Sequence, residues 1–296
     1  EIEIDLENLP LDDKKTYEMY QKGYTNATFQ FESLGMQKHL KALKPDRFED
    51  LIAMNALYRP GPMDNIPNYI DRKHGKEKIE YDLPEMEEFL GETFGITVYQ
   101  EQVMLISQKI ANFSKGEADQ LRKAMGKKDA KLLKKLKPRF FKGGSENNID
   151  QNKLEKIWQD WQSFAEYAFN KSHSTCYSLI AYKTTYMKAN YISEYMAAVL
   201  SHNQNNIDKI SYFMDECRKA KIKVLGPDIN QSGKDFICNK SGEILFGIGA
   251  VKGTGGSAVQ SILEERNTNG PFKDIFDFAI RTNSRTVNKK TYEALS

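Results

Sequence analysis

Apolar residues recur at intervals of three and four along most of this chain, the spacing that gathers them on one face of an α-helix. Leu11-Asp12-Asp13 supplies an N-cap for a helix through Tyr20, which Gly23 stops. Leu34, Met36, Leu40 and Leu43 form one amphipathic face and Phe48, Leu51, Ile52 and Leu57 a second. Pro45-Asp46 separates them, with Asp46 placed to cap the latter. Arg59-Pro60-Gly61-Pro62 cannot continue a helix, because two prolines fix the backbone and remove donors. Val103, Ile106 and Ile110 keep helical spacing up to Phe113, and Ser114 with Glu117 reads as a capping box for a helix carrying Ala118, Leu121 and Met125. Gly126 permits a bend into a second helix with Leu132 and Leu136, which Pro138 is expected to close, leaving 143–151 as a polar loop. Leu154, Ile157, Trp158 and Trp161 resume the pattern, which leads into an aromatic and apolar helical stretch at 164–203.

The helical period breaks in three places. Residues 1–9 alternate acids with Ile2, Ile4 and Leu6, an extended or strand pattern that ends at Pro10. Ile96, Val98 and Tyr99 suggest a short strand or a turn. Residues 222–225 run into Gly226-Pro227 as a boundary, after which strand-like pieces at 236–238 and 244–246 flank a hairpin turn at Lys240-Ser241-Gly242. Val259, Ile262 and Leu263 then mark another amphipathic helix, and residues 288–295 a last one. The expected fold is mainly α: a multi-helix domain over 1–225, with 1–10 as a linker, and a small α domain over 226–296 that includes a short β-hairpin.

Composition narrows the classes. At 296 residues the chain is long enough for about two domains, and a 40% hydrophobic content with mean hydropathy −0.64 is that of a soluble protein with a core. No apolar run approaches the ~18 residues of a membrane span and no leader opens the chain, so no membrane partner is expected and the location is expected to be cytoplasmic. Glu1 in first position suggests an excised piece. Cys176, Cys217 and Cys238 lie far apart without C-x-x-C, and the histidines are scattered, which argues against a disulfide framework and a zinc site. Glu1, Glu3 and Asp5 share one side of their alternation, from which a metal-binding carboxylate pair could be built, but with no third ligand or partner strand in view they read as an exposed edge or a linker. No metal ligands and no catalytic residues are assigned to this chain.

Charge is what singles out one region. The chain as a whole carries +2, yet within 121–142 Arg122, Lys123, Lys127, Lys128, Lys131, Lys134, Lys135, Lys137, Arg139 and Lys142 face a single acid, Asp129. Leucines at helical spacing anchor that segment, so its lysines are displayed on an ordered surface whose natural partner is phosphate; a solvated lysine-rich helix is the plainer alternative. Arg59, at its rigid turn, either closes a helix end or meets phosphate. Asn170-Lys171-Ser172-His173-Ser174 is a second polar cluster: Lys171 and His173 can donate to phosphate oxygens, and Ser172 and Ser174 can cap the helix that follows. The neighbouring Phe169, Tyr177 and Tyr182 either stack on a base or pack. A Ser-His nucleophile has neither a G-x-S-x-G turn nor a placed acid to support it. Gly253-Thr254-Gly255, following Lys252, precedes an amphipathic helix in the manner of a helix-hairpin-helix, which sets glycine amides against a nucleic-acid phosphate. Val259 stands where such hairpins usually have alanine. The spacing of a Walker A loop is absent, as is the strand-helix-strand unit of a dinucleotide site.

These motifs together resemble the alpha subunit of bacterial DNA polymerase III, the replicative C-family polymerase. The carriers are FQFES-x-GM from Phe29, ALYRPGPM from Ala56, VYQEQVM from Val98, EADQLRKAMGKK from Glu117, FNKSHS from Phe169, GPDIN from Gly226 and FGIGAVKGTG from Phe246. The resemblance extends along nearly the whole chain and implies a fingers domain over 1–225, then a helix-hairpin-helix segment over 226–296 at the start of a clamp-binding region. It implies a DNA-directed DNA polymerase that joins a deoxynucleoside triphosphate to a primer 3' hydroxyl, with Mg2+ held by palm carboxylates. No palm-like D-x-D strand is found here, so this piece is expected to be inactive alone. Carried over by motif, Arg122, Lys123, Lys127, Lys128, Lys171, Ser172 and His173 would face nucleotide and DNA, with Arg59 a weaker member. Lys252, Gly253 and Gly255 would touch the duplex backbone without reading bases. The implied partners are primer-template DNA, the nucleotide, the palm and thumb, and the sliding clamp and other replisome subunits. Thr175-Cys176 and Val259 are the departures from the family pattern. A non-enzymatic, sequence-independent DNA-binding module is the alternative, and a protein-scaffold fragment a third class.

Overall fold

Fifteen α-helices and one small sheet form within residues 3–127 and 129–295, the part of the chain that the computed structural model describes. Short-range chemistry sets many of the helix ends. In α1 (Lys14–Lys22) the Asp13 carboxylate accepts the Thr16 N–H at 2.8 Å, and Gly23 ends the helix at φ 65°, where a side chain would be strained. α2 (Leu34–Leu43), α3 (Phe48–Leu57) and α4 (Ile66–Lys73) follow. Asp46 does not cap α3: Arg47 occupies the N-cap without a side-chain bond. The Lys73 ammonium draws Asp46 away, meeting it and the fully buried Asp50 at 2.6 Å each.

α5 (Glu87–Leu90), α6 (Gln100–Ala111), α7 (Lys115–Gly126), α8 (Ala130–Glu146), α9 (Gln151–Phe164) and α10 (Lys171–Asn190) continue the chain. The capping box at α7 is present in both directions, Ser114 N–H to Glu117 at 2.7 Å and Glu117 N–H to Ser114 at 3.2 Å. Pro138 does not close α8 but lies inside it. It sits on the exposed face, while Leu133, Leu136 and Phe140 are buried on the opposite side and hold the helix in place. The expected loop at 143–151 shrinks accordingly, since α8 runs to Glu146 and α9 starts at Gln151. Gly143 is what allows this: a Cβ there would stand 1.8 Å from the Ala111 carbonyl oxygen, so only glycine lets α8 cross the end of α6.

The chain separates into units at Glu1–Tyr186 and Met187–Ser296, the boundary falling within α10. The first unit holds two cores. One gathers Tyr20, Phe31, Leu40, Leu51, Tyr69, Tyr99 and Tyr182, the other Ile106, Met125, Phe140, Trp158 and Trp161. Of the alternating start of the chain, the described residues 3–9 form no strand. Asp5 instead accepts from the Glu7 N–H at 2.9 Å and the Asn8 amide at 2.7 Å, and a local turn consumes the polar groups that a partner strand would have bonded. Around Ile96 the extended backbone makes one bridge, Tyr99 to Phe169.

The second unit contains α11 (Ile192–His202), α12 (Ile207–Lys219), β1 (Val224–Leu225), β2 (Ile237–Cys238), β3 (Ile244–Leu245), α13 (Gly256–Asn269), α14 (Ile275–Arg281) and α15 (Lys289–Leu295). β3 is central, parallel to β1 and antiparallel to β2, and Gly242 turns the hairpin at φ 76°. Val259, Ile262, Phe272, Phe278 and Val287 form the core of its last three helices. No described helix is long and apolar enough to cross a membrane.

Candidate nucleotide and nucleic-acid interface

The polar cluster at the start of α10 is organised by Asn170 rather than by its serines. Asn170 Oδ1 accepts the His173 N–H at 2.8 Å and its backbone carbonyl accepts the Ser174 N–H at 3.1 Å. An asparagine just ahead of the first turn can reach those amides, whereas a serine already inside the helix cannot. Ser174 is buried and donates to the Ile52 carbonyl at 2.7 Å, while Ser172 stays exposed. The His173 ring lies 4.2 Å from that of Tyr177 and 5.6 Å from that of Phe169. Tyr182 only packs, its hydroxyl donating to the Pro10 carbonyl at 2.7 Å and accepting the Asp13 N–H at 3.1 Å.

Arg59 joins this cluster from the far side of the sequence. Its guanidinium sits 4.2 Å above the Phe169 ring and donates to the Ala56 carbonyl at 2.9 Å and the Tyr167 carbonyl at 2.7 Å. Burial pulls its pKa down from the usual arginine value, though arginine remains charged in any protein setting. Arg59, Phe169, His173 and Tyr177 line one cavity of about 170 Å³ with Asn55 and Tyr58. Arg59 thus closes a helix end and also borders an open polar and aromatic pocket. Lys171 is not among the residues lining that cavity; its ammonium meets Glu92 at 2.7 Å and lies 5.4 Å from the Tyr99 ring.

On α7 and α8 the basic surface is less naked than its own segment suggests. Arg122 and Lys123 both clasp Asp119, at 2.8 Å and 2.7 Å, and the hydrogen bond from Lys123, then that from Arg122, hold the Asp119 carboxyl below the usual range. Lys137 pairs with Glu155 at 2.8 Å and Arg139 with Glu117 at 2.8 Å. Lys127, Lys131, Lys134, Lys135 and Lys142 are exposed and make no ion pair with a described residue. Lys128 lies outside the described residues. The buried anchors of α8 are Leu133, Leu136 and Phe140, with Leu132 only half-buried. The lysines at 131, 134 and 135 therefore stay on the outer face of a fixed helix.

The glycine turn is built as the sequence suggests. A 3-10 turn over Ile248–Ala250 leads to Gly253, whose φ of 105° suits glycine alone. The Thr254 hydroxyl, 2.8 Å from the Ile248 carbonyl and 2.7 Å from that of Val251, ties the turn together. α13 then starts without a side-chain cap, and a Cβ at Gly255 or Gly256 would meet nothing within 4 Å. Lys252 is exposed beside them. Val259 is buried in the core below, so valine at this position is accommodated by packing.

Residue-level reading missed the groups that organise these sites. Asp119 was legible, since it precedes Arg122 and Lys123 by three and four residues on one helix face. Glu92 and Glu101, which hold Lys171 from about seventy to eighty residues away, leave no local signal. The bacterial DNA polymerase III alpha subunit finger domain is the family description that matches residues 1–148, and a helix-hairpin-helix motif matches residues 221–296. DNA polymerase III subunit alpha of Chlamydia muridarum is 50% identical over 287 residues, 97% of this chain and 23% of the relative. The subunits of Thermus aquaticus and Escherichia coli are 46% and 43% identical, each over 99% of this chain and 24% and 26% of their own lengths. The chain therefore spans about a quarter of the length of the relatives it matches. With its finger-domain half matched and its remainder aligned to the same relatives, the chain belongs to the bacterial DNA polymerase III alpha subunit family.

Proposed function

We propose that this chain is the fingers and helix-hairpin-helix portion of a replicative DNA polymerase, and that it holds the incoming deoxynucleoside triphosphate and the primer-template during DNA-templated extension. The observation that carries the reading is the cavity shared by Arg59, Phe169, His173 and Tyr177. A half-buried guanidinium beside tilted and edge-on aromatic rings offers a charge for phosphate and π surface for a base. Lys171, Ser172, Arg122, Lys123, Lys127 and Lys128 are assigned to the surrounding nucleotide-facing and DNA-facing surface. Lys252, Gly253 and Gly255 are assigned to the duplex backbone, through the uncapped start of α13. On this reading the fingers (1–225) and the hairpin segment (226–296) divide the work.

Phosphoryl transfer of this kind uses divalent ions, Mg2+ in the family reading. Among the described residues no three His, Cys, Asp or Glu side chains are placed to hold a metal ion. We assign the ligands of those ions to a palm in the longer polypeptide, as the family reading implies, and assign to this chain the part of binding and orienting. Palm and thumb are likewise assigned to that longer polypeptide, which is proposed to meet the sliding clamp and other replisome subunits at a cytoplasmic location.

Single-nucleotide extension by the full-length polymerase tests the reading. His173→Ala is expected to raise the KM for nucleotide about tenfold, the weight of stacking on one base, with primer-template affinity unchanged. An unchanged KM would remove the cavity from the nucleotide site. If His173→Ala and Lys252→Glu instead weakened duplex binding alike and left nucleotide KM alone, the alternative of a sequence-independent DNA-binding module would be favoured.

A further inference from the structure

The donors at the start of α10 that are assigned to phosphate are already met by carboxylates of the protein itself. Glu101, in the first turn of α6, accepts the Lys171 backbone N–H at 2.9 Å and, through its other oxygen, the Asn170 side-chain amide at 2.8 Å. Glu92 accepts the Lys171 ammonium at 2.7 Å. Amide and ammonium of the same residue are thus held by two different acids.

The two acids are held differently. Both oxygens of Glu101 are bonded, so it is a fixed cap on α10. Only Oε2 of Glu92 is: Oε1 is buried without a hydrogen-bond partner among the described residues, and so is the hydroxyl of the fully buried Tyr99, beneath the Lys171 ammonium. The Lys171–Glu92 pair is itself about one-third exposed at each side chain, the regime in which an ion pair is weak. A phosphate, with several charged oxygens, accepts the same kind of charge-assisted hydrogen bond from that ammonium. Arg47 donates to the Glu92 backbone carbonyl at 2.9 Å and pairs with Asp50, so the Glu92 carboxylate has Lys171 as its partner among the described residues.

We infer that Glu92 is an internal counter-anion that competes with the nucleotide for Lys171. In the free protein the ammonium rests on Glu92; on binding it passes to a phosphate oxygen, while Glu101 keeps the α10 backbone in place. Glu92 is a positioning residue and touches no reacting atom, so it acts on nucleotide affinity and leaves the chemical step alone. The inference rests on the reading that Lys171 meets nucleotide.

Steady-state single-nucleotide extension by the full-length polymerase separates the two claims. Glu92→Gln keeps the shape and removes the charge. It is expected to lower the KM for the deoxynucleoside triphosphate about two- to fivefold, the weight of a partly exposed ion pair, with kcat unchanged. In a Lys171→Met background the same change is expected to do nothing. A raised or unchanged KM for Glu92→Gln, with Lys171→Met still raising KM, would overturn the competition and leave the nucleotide reading intact. An unchanged KM for Lys171→Met would overturn the assignment of Lys171 itself. Should Glu92→Gln fail to fold, Glu92→Asp withdraws the carboxylate by one methylene, and the same downward shift in KM, smaller in size, is required.

Discussion

The Arg59 side chain donates to the Tyr167 carbonyl at 2.7 Å and ties the end of α3 to the segment that leads into α10. Lysine at this position would keep the charge but not the planar fork that serves the Ala56 and Tyr167 carbonyls together. Arg59→Lys is expected to cost about 1–3 kcal/mol of stability, because partly buried carbonyls lose their donors, and to raise nucleotide KM in the full-length polymerase. Thermal denaturation and extension kinetics on the same variant check both. A stability loss with unchanged KM would restrict Arg59 to closing the helix.

The exposed lysines of α8 make a separate, electrostatic prediction. Lys131, Lys134 and Lys135 have no carboxylate partner among the described residues, whereas Lys137 and Arg139 do. Neutralising the first three to glutamine is expected to lower the slope of log affinity for duplex DNA against log salt by about 0.9 for each phosphate that is no longer neutralised. Neutralising Lys137 should change that slope less, since its charge is already balanced by Glu155. DNA-binding isotherms at several salt concentrations measure it, and an unchanged slope in the triple variant would return α8 to the status of a solvated helix.

How far the fold was legible depended on where its causes lay. The Asp13 cap, the Ser114–Glu117 box and the Gly242 hairpin are set by residues within four positions of one another, and the sequence pattern placed each of them. Pro138 misled, because a proline on an exposed helix face costs a hydrogen bond that a well-buried opposite face offsets. Asp46 misled for another reason: its cap competes with Lys73, which lies on a different helix. The site follows the same rule. The basic residues themselves stand out along the chain, while Glu92 and Glu101 become visible only once α10 has folded against them.

The α7 capping box is expected to make stability acid-sensitive. The backbone N–H of Ser114 first, then the Ser114 hydroxyl and Arg139, hold the Glu117 carboxyl below the usual range. A carboxyl whose folded pKa lies below its unfolded value, about 4.3 for glutamate, stabilises fully above that unfolded value and loses its contribution as pH falls through the folded one. Glu117→Gln keeps the box but not the charge, and should be less stable than the parent at neutral pH by under about 1 kcal/mol, given the exposure of the pair. The gap in melting temperature should close as pH falls below about 4. A gap that is constant with pH would assign the effect to packing.

Gly255 gives a test in which stability and binding move apart. Its backbone, at φ −82° and ψ 151°, is open to any residue, and an added Cβ would meet nothing within 4 Å. Serine is moreover a better N-cap than glycine, and α13 has no side-chain cap of its own. Gly255→Ser should therefore leave the melting temperature unchanged or raise it. If the uncapped amides at the start of α13 are where a duplex phosphate approaches, the new side chain occupies that approach and satisfies one of the amides, so DNA affinity should fall while stability does not. Gly253→Ala is the contrasting control: its φ of 105° and a contact at 3.3 Å from Ala294 make it destabilising whether or not DNA binds there. Melting curves and duplex-binding isotherms on the two variants check this, and unweakened binding by Gly255→Ser would show that phosphate does not come close to this turn.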